Sequence, residues 1–136
     1  MGIGQAGGAA AVRAVLVAVA VLVSLGQIVM WGAMAFFAYV LRIGLDPADA
    51  VTTDTSDADH LATAMAVIAM FNVAAVVTLL MGATRPRWWF VVAVQVANGV
   101  MFFFRAGPEG WPYFAVEVAM VVLLAIIYPR PQPVQA

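Results

Sequence analysis

The sequence contains no cysteine, no lysine and a single histidine, and charged residues of either sign are scarce. Without cysteine, the chain can form no disulfide, no thiolate metal site and no thiol-based redox centre. A single histidine also excludes a haem held by two histidines of this chain. Charged residues make up 10% of the sequence, against about 25% in soluble globular domains. The net charge of −1 gives no field that would attract nucleic acid.

Apolar residues dominate what remains. They account for 65% of the 136 residues, against about 45–50% in typical globular chains. A domain of this size has too little interior to bury so many apolar side chains, and soluble proteins rarely expose large apolar patches. The sequence therefore predicts an integral membrane protein.

Four apolar stretches are long enough to cross a bilayer as helices, which takes about 20 residues each. They cover about residues 13–42, 61–84, 88–104 and 111–128. None of them alternates apolar and polar residues as transmembrane strands do, and helices satisfy their backbone polar groups internally. The sequence thus predicts one all-α integral membrane domain over 1–136, with four transmembrane helices in an antiparallel bundle.

Three connections separate these stretches. Short segments with Gly or Pro predict tight turns at 85–87 and 105–110. The connection at 44–60 is longer and acidic, and Ser56 with Asp59 predicts a capped helix start near its end. Several glycines within the first eight residues predict a flexible amino terminus.

The arginines are distributed unequally between the two ends of the predicted spans. One side carries Arg13, Arg85, Arg87 and Arg130 without an acidic residue, and the other carries Arg42 and Arg105 with all aspartates and Glu109. The positive-inside rule then places both termini in the cytoplasm. Trp88 and Trp89, next to Arg87, fit the aromatic belt of that membrane face. The arginine-only, Ala- and Val-rich composition points to a bacterial inner (plasma) membrane, with several passes through it.

Five strongly polar side chains lie inside the predicted spans: Gln27, Asn72, Gln95, Asn98 and Glu117. Gln27, Asn72 and Gln95 fall near the middle of their spans. Asn98 shares a helix face with Gln95, three residues earlier. One interpretation is that these groups fix helix register through interhelical hydrogen bonds, worth about 0.6 kcal/mol each on average. The other is a shared polar site, because transporters commonly bind substrate near the bilayer midplane.

Glu117 stands apart from the amides. An acidic group within a span is costly and by default indicates a function. It can be ionised and paired with Arg105, or with Arg42 as the alternative partner. It can be protonated, because desolvation disfavours the charged form, with a hydrogen bond to Asn98 or Gln95. It can also face a water-filled cavity or a partner chain.

The acidic connection contains a weak metal-binding candidate, formed by Asp54, Asp57, Asp59 and His60. Carboxylate oxygens suit Ca²⁺, but the Gly and the distal Glu of an EF-hand loop are missing. Zinc sites normally use more than one His or Cys. A solvated loop with helix caps is the favoured interpretation, and no cofactor is predicted.

Two further patterns concern packing. Small residues four positions apart, such as Ala20 with Ser24 and Ala93 with Ala97, predict helix faces that approach closely. The three phenylalanines at 102–104 predict an aromatic outer surface. Neither pattern indicates a particular function.

Catalytic patterns are missing from the sequence: it has no nucleophile–base pair, no phosphate-binding loop and no paired intramembrane carboxylates. We therefore expect no enzyme. The leading hypothesis is a non-catalytic accessory or assembly subunit of a membrane complex, or a homo-oligomer. Its partners would be the lipid bilayer and other membrane subunits or further copies, not nucleic acid. The alternatives are a small proton- or cation-coupled transporter or channel that uses Glu117, and a lipid- or quinone-binding membrane module.

Overall fold

Four α-helices make up nearly all of the structure, a computed structural model that describes residues 3–40, 56–82 and 84–128. The helices are α1 (Ile3–Val40), α2 (Ser56–Leu80), α3 (Arg85–Ala106) and α4 (Trp111–Ile127), with a 3-10 turn at Gly107–Gly110 before α4. Within these ranges, the side chains of residues 3–6, 56–58 and 105–107 are not described. Each helix, α4 together with its 3-10 turn, is long and apolar enough to cross a membrane. The predicted all-α, multi-pass character is therefore confirmed.

The helices pack against one another in chain order. Within the described ranges, α1 contacts α2 and α4, and α3 contacts the same two helices. The backbones of α1 and α3 are not neighbours, and neither are those of α2 and α4. The four helices thus surround a common centre, toward which each of them turns one face.

The buried faces form two apolar clusters. One consists of Ala20, Ala75, Leu79, Trp88, Val91, Val94, Met120, Leu124 and Ile127, and the other of Trp31, Ala35, Met65 and Phe102. Gln27, Asn72, Gln95, Asn98 and Glu117 are buried as well and are called the polar layer below. Along α1, α2 and α3, the polar layer falls between the two apolar clusters.

The helix ends follow from local backbone chemistry. Gly82 has a φ of 80°, in the left-handed region that residues with a Cβ rarely adopt, and α2 ends just before it. Pro86 lies in the first turn of α3, where its missing N–H costs no helical hydrogen bond. In the last turn of α4, the Trp88 indole Nε1 donates to the Leu124 carbonyl at 2.9 Å, where carbonyls lack an intrahelical donor.

Some local predictions were wrong. The amino-terminal segment is helical from Ile3 rather than flexible, because the alanines around its glycines have the highest helix propensity, which offsets a cost of about 1 kcal/mol per glycine. Helix α2 begins at Ser56, where the capping pattern predicted a helix start, but it ends at Leu80, before the predicted end of the span at residue 84. Phe102 is only 6% exposed and packs on Trp31 with ring centroids 4.7 Å apart. Phe103 and Phe104 do face outward, because successive helical residues point in different directions.

Candidate functional site: a buried polar layer

Asn72 of α2 and Asn98 of α3 form a reciprocal amide pair. The Nδ2 of each donates to the Oδ1 of the other, both at 3.0 Å, and neither side chain has exposed surface. Asn72 Nδ2 also donates to the Ile68 carbonyl, one turn earlier, at 2.9 Å. The pair joins α2 to α3 and gives each buried amide a donor and an acceptor.

A second network joins α1, α3 and α4 through Gln27. Gln27 Nε2 donates to Gln95 Oε1 at 2.9 Å and to Glu117 Oε1 at 2.7 Å. Gln95 Nε2 donates back to Gln27 Oε1 at 3.2 Å. Because a primary amide nitrogen carries two hydrogens, both hydrogens of Gln27 are engaged. One side chain of α1 therefore holds two neighbouring helices at once.

Helix α3 contributes to both networks. Gln95 and Asn98 are three residues apart and are both fully buried, as the shared helix face predicts. Gln95 bonds with α1 and Asn98 with α2. All five residues of the predicted polar set are thus in interhelical hydrogen bonds, divided between two groups.

Glu117 is the one ionisable member of the polar layer. It is 4% exposed, and its Oε1 accepts the bond from Gln27. Its Oε2 is buried and has no hydrogen-bond partner among the described residues. Gly99 of α3 lies directly opposite, and a Cβ at Gly99 would be 3.4 Å from the Glu117 Cβ. The absence of a side chain at Gly99 lets α3 approach α4 at the depth of this carboxyl group.

Two cavities meet at Glu117. The first measures about 170 Å³ and is bordered by Gln27 and Met30 of α1, Phe102 of α3 and Tyr113 and Glu117 of α4. The second measures about 280 Å³ and lies between α3 and α4, with Gln95, Gly99 and Glu117 on its wall. A water molecule takes up about 30 Å³ in the liquid, so either cavity has room for several small molecules beside the carboxyl group.

Two more buried polar atoms, without a partner among the described residues, flank Gln27 on α1. They are the Ser24 hydroxyl oxygen and the Trp31 indole Nε1, and both residues have no exposed surface. At three and four residues from Gln27, they lie on the same helix face. Unsatisfied buried polar groups are few in folded proteins. The described part of the chain has three: two lie on the helix face of Gln27, and the third is Oε2 of Glu117, the residue to which Gln27 donates.

The structure answers only part of the prediction for Glu117. Its hydrogen-bond partner among the described residues is Gln27, whereas one of the three alternatives placed that bond at Asn98 or Gln95. Those two amides bond instead to Asn72 and to Gln27. Arg42 and the Arg105 side chain lie outside the described residues, so the ion pair stays a prediction.

The metal-binding candidate also lies largely outside the described residues. Asp54 and the Asp57 side chain are not described, whereas Asp59 and His60 are. Among the described side chains, no three His, Asp or Glu groups lie close enough together to hold a metal ion. Within the described ranges, the buried carboxyl group therefore lies among amides, a hydroxyl and an indole rather than among further metal ligands.

Sequence reasoning missed three residues that shape this site: Trp31, Gly99 and Trp88. Trp88 was assigned to an interfacial belt, but it is 7% exposed and bonded to α4, whereas Trp89 is 60% exposed. The spacing did contain the signal, because Trp88, Gln95 and Asn98 lie on one helical stripe. Gly99 had no such signal, since its importance comes from the residue opposite.

Comparison with known proteins gave no relative. No family model matches the chain, and no curated protein or solved structure matches it significantly. Functional argument therefore rests on the site itself.

Proposed function

We propose that this chain is a non-catalytic bacterial plasma-membrane protein that takes up and releases a proton at Glu117, as a small proton-coupled transporter or channel. One observation carries the proposal. The buried Glu117 carboxyl group has one oxygen held by Gln27 and a second without a partner among the described residues, next to two open crevices.

The energetics of a buried carboxyl group support proton binding. A charge buried in an apolar setting is expensive unless it is paired and hydrogen-bonded, and Glu117 has one neutral amide donor within reach. A proton on Oε2 removes the charge without rearranging any helix. A Mg²⁺ or Ca²⁺ ion would require about six or more oxygen ligands, which these surroundings do not offer. A proton is therefore the cation that best suits the site.

The two cavities support exchange of that proton. They reach Glu117 from different sides: one is bordered by α1, α4 and Phe102 of α3, and the other by α3 and α4. Because Oε2 itself is buried, proton exchange requires water from one of these crevices to reach the carboxyl group, while Gln27 keeps Oε1 in place. The amides of the polar layer then act as a scaffold that fixes the carboxyl group between the crevices.

Proton flux into liposomes tests the proposal. Purified protein is reconstituted with a trapped pH-sensitive dye, and a potassium-diffusion potential drives protons inward. We expect flux with the wild-type chain, loss of flux with Glu117→Gln, and unchanged flux with Glu109→Gln. Glu109 is the matched control because it is the other glutamate and is exposed in the 3-10 turn. Equal flux in the wild type and Glu117→Gln, or no flux in any of them, contradicts the proposal.

The proposed orientation has the helices antiparallel and both termini in the cytoplasm. Because the chain has no cysteine, single cysteines can be placed at will and labelled with a membrane-impermeant maleimide. We expect Glu109→Cys to react in cells whose plasma membrane is intact but whose outer envelope has been made permeable to the label. Thr84→Cys should react only after the plasma membrane is permeabilised. Both positions are exposed. The reverse pattern would place the termini outside.

The accessory-subunit and homo-oligomer hypotheses remain predictions, and so does the quinone-binding module. The mass of the assembly released gently in native lipids separates the accessory-subunit hypothesis from the transporter. A constant stoichiometric partner protein would make this chain a subunit. A monomer or small homo-oligomer would favour an independent role for Glu117.

A further inference from the structure

A groove separate from the polar layer lies where the first part of α1 meets the end of α4. It measures about 520 Å³ and is lined by Val12, Arg13 and Leu16 of α1 and by Ile126, Ile127 and Tyr128 at the end of α4. Most of these side chains are apolar. Arg13, which is exposed, introduces a positive charge into an otherwise apolar wall.

A second arginine, Arg85, approaches one residue of the groove lining, Tyr128, from outside that lining. The Arg85 guanidinium lies 5.9 Å from the centre of the Tyr128 ring, a cation–π distance that favours this position of the side chain. Tyr128 in turn packs edge-on against Trp88, with ring centroids 4.7 Å apart. Arg13 of α1 and Tyr128 therefore share the groove lining, and Arg85 of α3 approaches the Tyr128 ring.

None of the described residues that line the groove is acidic. No Asp or Glu occurs in residues 1–45, 60–108 or 118–136, which include the helix segments that line the groove and the start of α3. Arginine is well suited to bind phosphate, since its planar guanidinium donates two parallel hydrogen bonds. The groove thus combines an apolar wall with a positive rim.

We propose that this groove binds one anionic phospholipid, with the phosphate held by Arg13 and Arg85 and an acyl chain against Val12, Leu16 and Ile126. Free phosphate would use only the rim, whereas a phospholipid matches both parts of the groove. The location supports a lipid as well, because Trp88, which packs against Tyr128, also contacts Trp89, and an exposed tryptophan such as Trp89 is typical of headgroup depth. The site is independent of Glu117 and of proton binding.

Native mass spectrometry of the full chain from nanodiscs measures the binding. The probes are nanodiscs of phosphatidylcholine with or without an equal share of phosphatidylglycerol. We expect one phosphatidylglycerol to stay bound to the wild-type chain and phosphatidylcholine to be lost. Arg13→Gln and Arg85→Gln should each weaken retention about fivefold, the equivalent of about 1 kcal/mol per basic residue near an anionic membrane surface.

Arg87→Gln is the matched control, because Arg87 is an exposed arginine of the same helix end that is neither part of the groove lining nor, among the described residues, placed over the Tyr128 ring as Arg85 is. Val12→Trp fills the groove without changing any charge, and we expect it to displace the lipid while both arginines remain. Equal losses in all three arginine variants would mean general surface attraction and would overturn the proposal. So would equal retention of phosphatidylcholine, unaltered retention in Val12→Trp, or displacement of the lipid by inorganic phosphate alone.

Discussion

Replacing Asn98 by leucine tests whether the reciprocal amide pair holds α2 against α3. The change removes two interhelical hydrogen bonds and leaves the buried Asn72 amide with only its bond to the Ile68 carbonyl. Interhelical hydrogen bonds in membranes contribute about 0.6 kcal/mol each on average, and a buried polar group left without its partner costs about 1–3 kcal/mol. We therefore expect Asn98→Leu to lower the free energy of unfolding by about 1–3 kcal/mol.

Unfolding by sodium dodecyl sulfate in mixed micelles, followed by tryptophan fluorescence, measures this loss. The single variant Asn72→Leu and the double variant Asn72→Leu/Asn98→Leu complete a double-mutant cycle. The double variant should lose about 1 kcal/mol less free energy of unfolding than the two single variants together, because the effects of substituting contacting residues are not additive. Thr78→Val is the control. Its hydroxyl bonds only to the Ala74 carbonyl of its own helix, at 2.7 Å, so little change is expected. Losses that add within about 0.5 kcal/mol would refute the pairing argument.

Three further substitutions test the helix contacts around the site. Trp88→Phe removes the donor of the Leu124 carbonyl and should destabilise the fold by about 1–2 kcal/mol, measured by the same unfolding assay. Gly99→Val adds a branched side chain to a position where even a Cβ would lie 3.4 Å from the Glu117 Cβ. It should cost about 1–3 kcal/mol through overpacking and lower the melting temperature. Gly82→Ala forces a Cβ into a φ of 80° and should cost about 1 kcal/mol, read by thermal unfolding.

Two of these substitutions have a matched control variant. Trp89→Phe alters the neighbouring exposed indole and should leave stability unchanged. Gly32→Val introduces the same side chain where no atom lies within 4 Å of the new Cβ, so only the weaker helix propensity of valine remains. If Gly32→Val and Gly99→Val cost the same, the close approach of α3 to α4 does not limit packing. For Gly82→Ala, stability equal to the wild type would contradict the strain argument.

The helical spans and the polar set could be predicted because both depend on local chemistry. Length and apolar content identify a membrane span whatever its neighbours are. Burial of Gln27, Asn72 and Glu117 follows from the cost of polar groups in lipid. The shared face of Gln95 and Asn98 follows from helix geometry alone.

The hydrogen-bond partners could not be predicted, because they depend on how each helix is rotated against its neighbours. The small-residue pairs illustrate this. Ala20 and Ser24 are buried, as expected, but Ala93 and Ala97, with the same spacing, are exposed. Spacing shows that two residues share a face, but it does not show which face turns inward. Nothing in the sequence ranks Gln27 above the other amides, because its bonds to Gln95 and Glu117 depend on how three helices are placed.

Because the Gln27 amide nitrogen donates two hydrogen bonds, this side chain responds to the state of the carboxyl group beside it. Its two N–H hydrogens point to acceptors on different helices, Gln95 and Glu117. A change in the charge of Glu117 alters one of those bonds and leaves the other as an internal reference. The two side-chain amide proton resonances of a single glutamine would then report the state of Glu117 in the intact membrane, without a label on the glutamate itself.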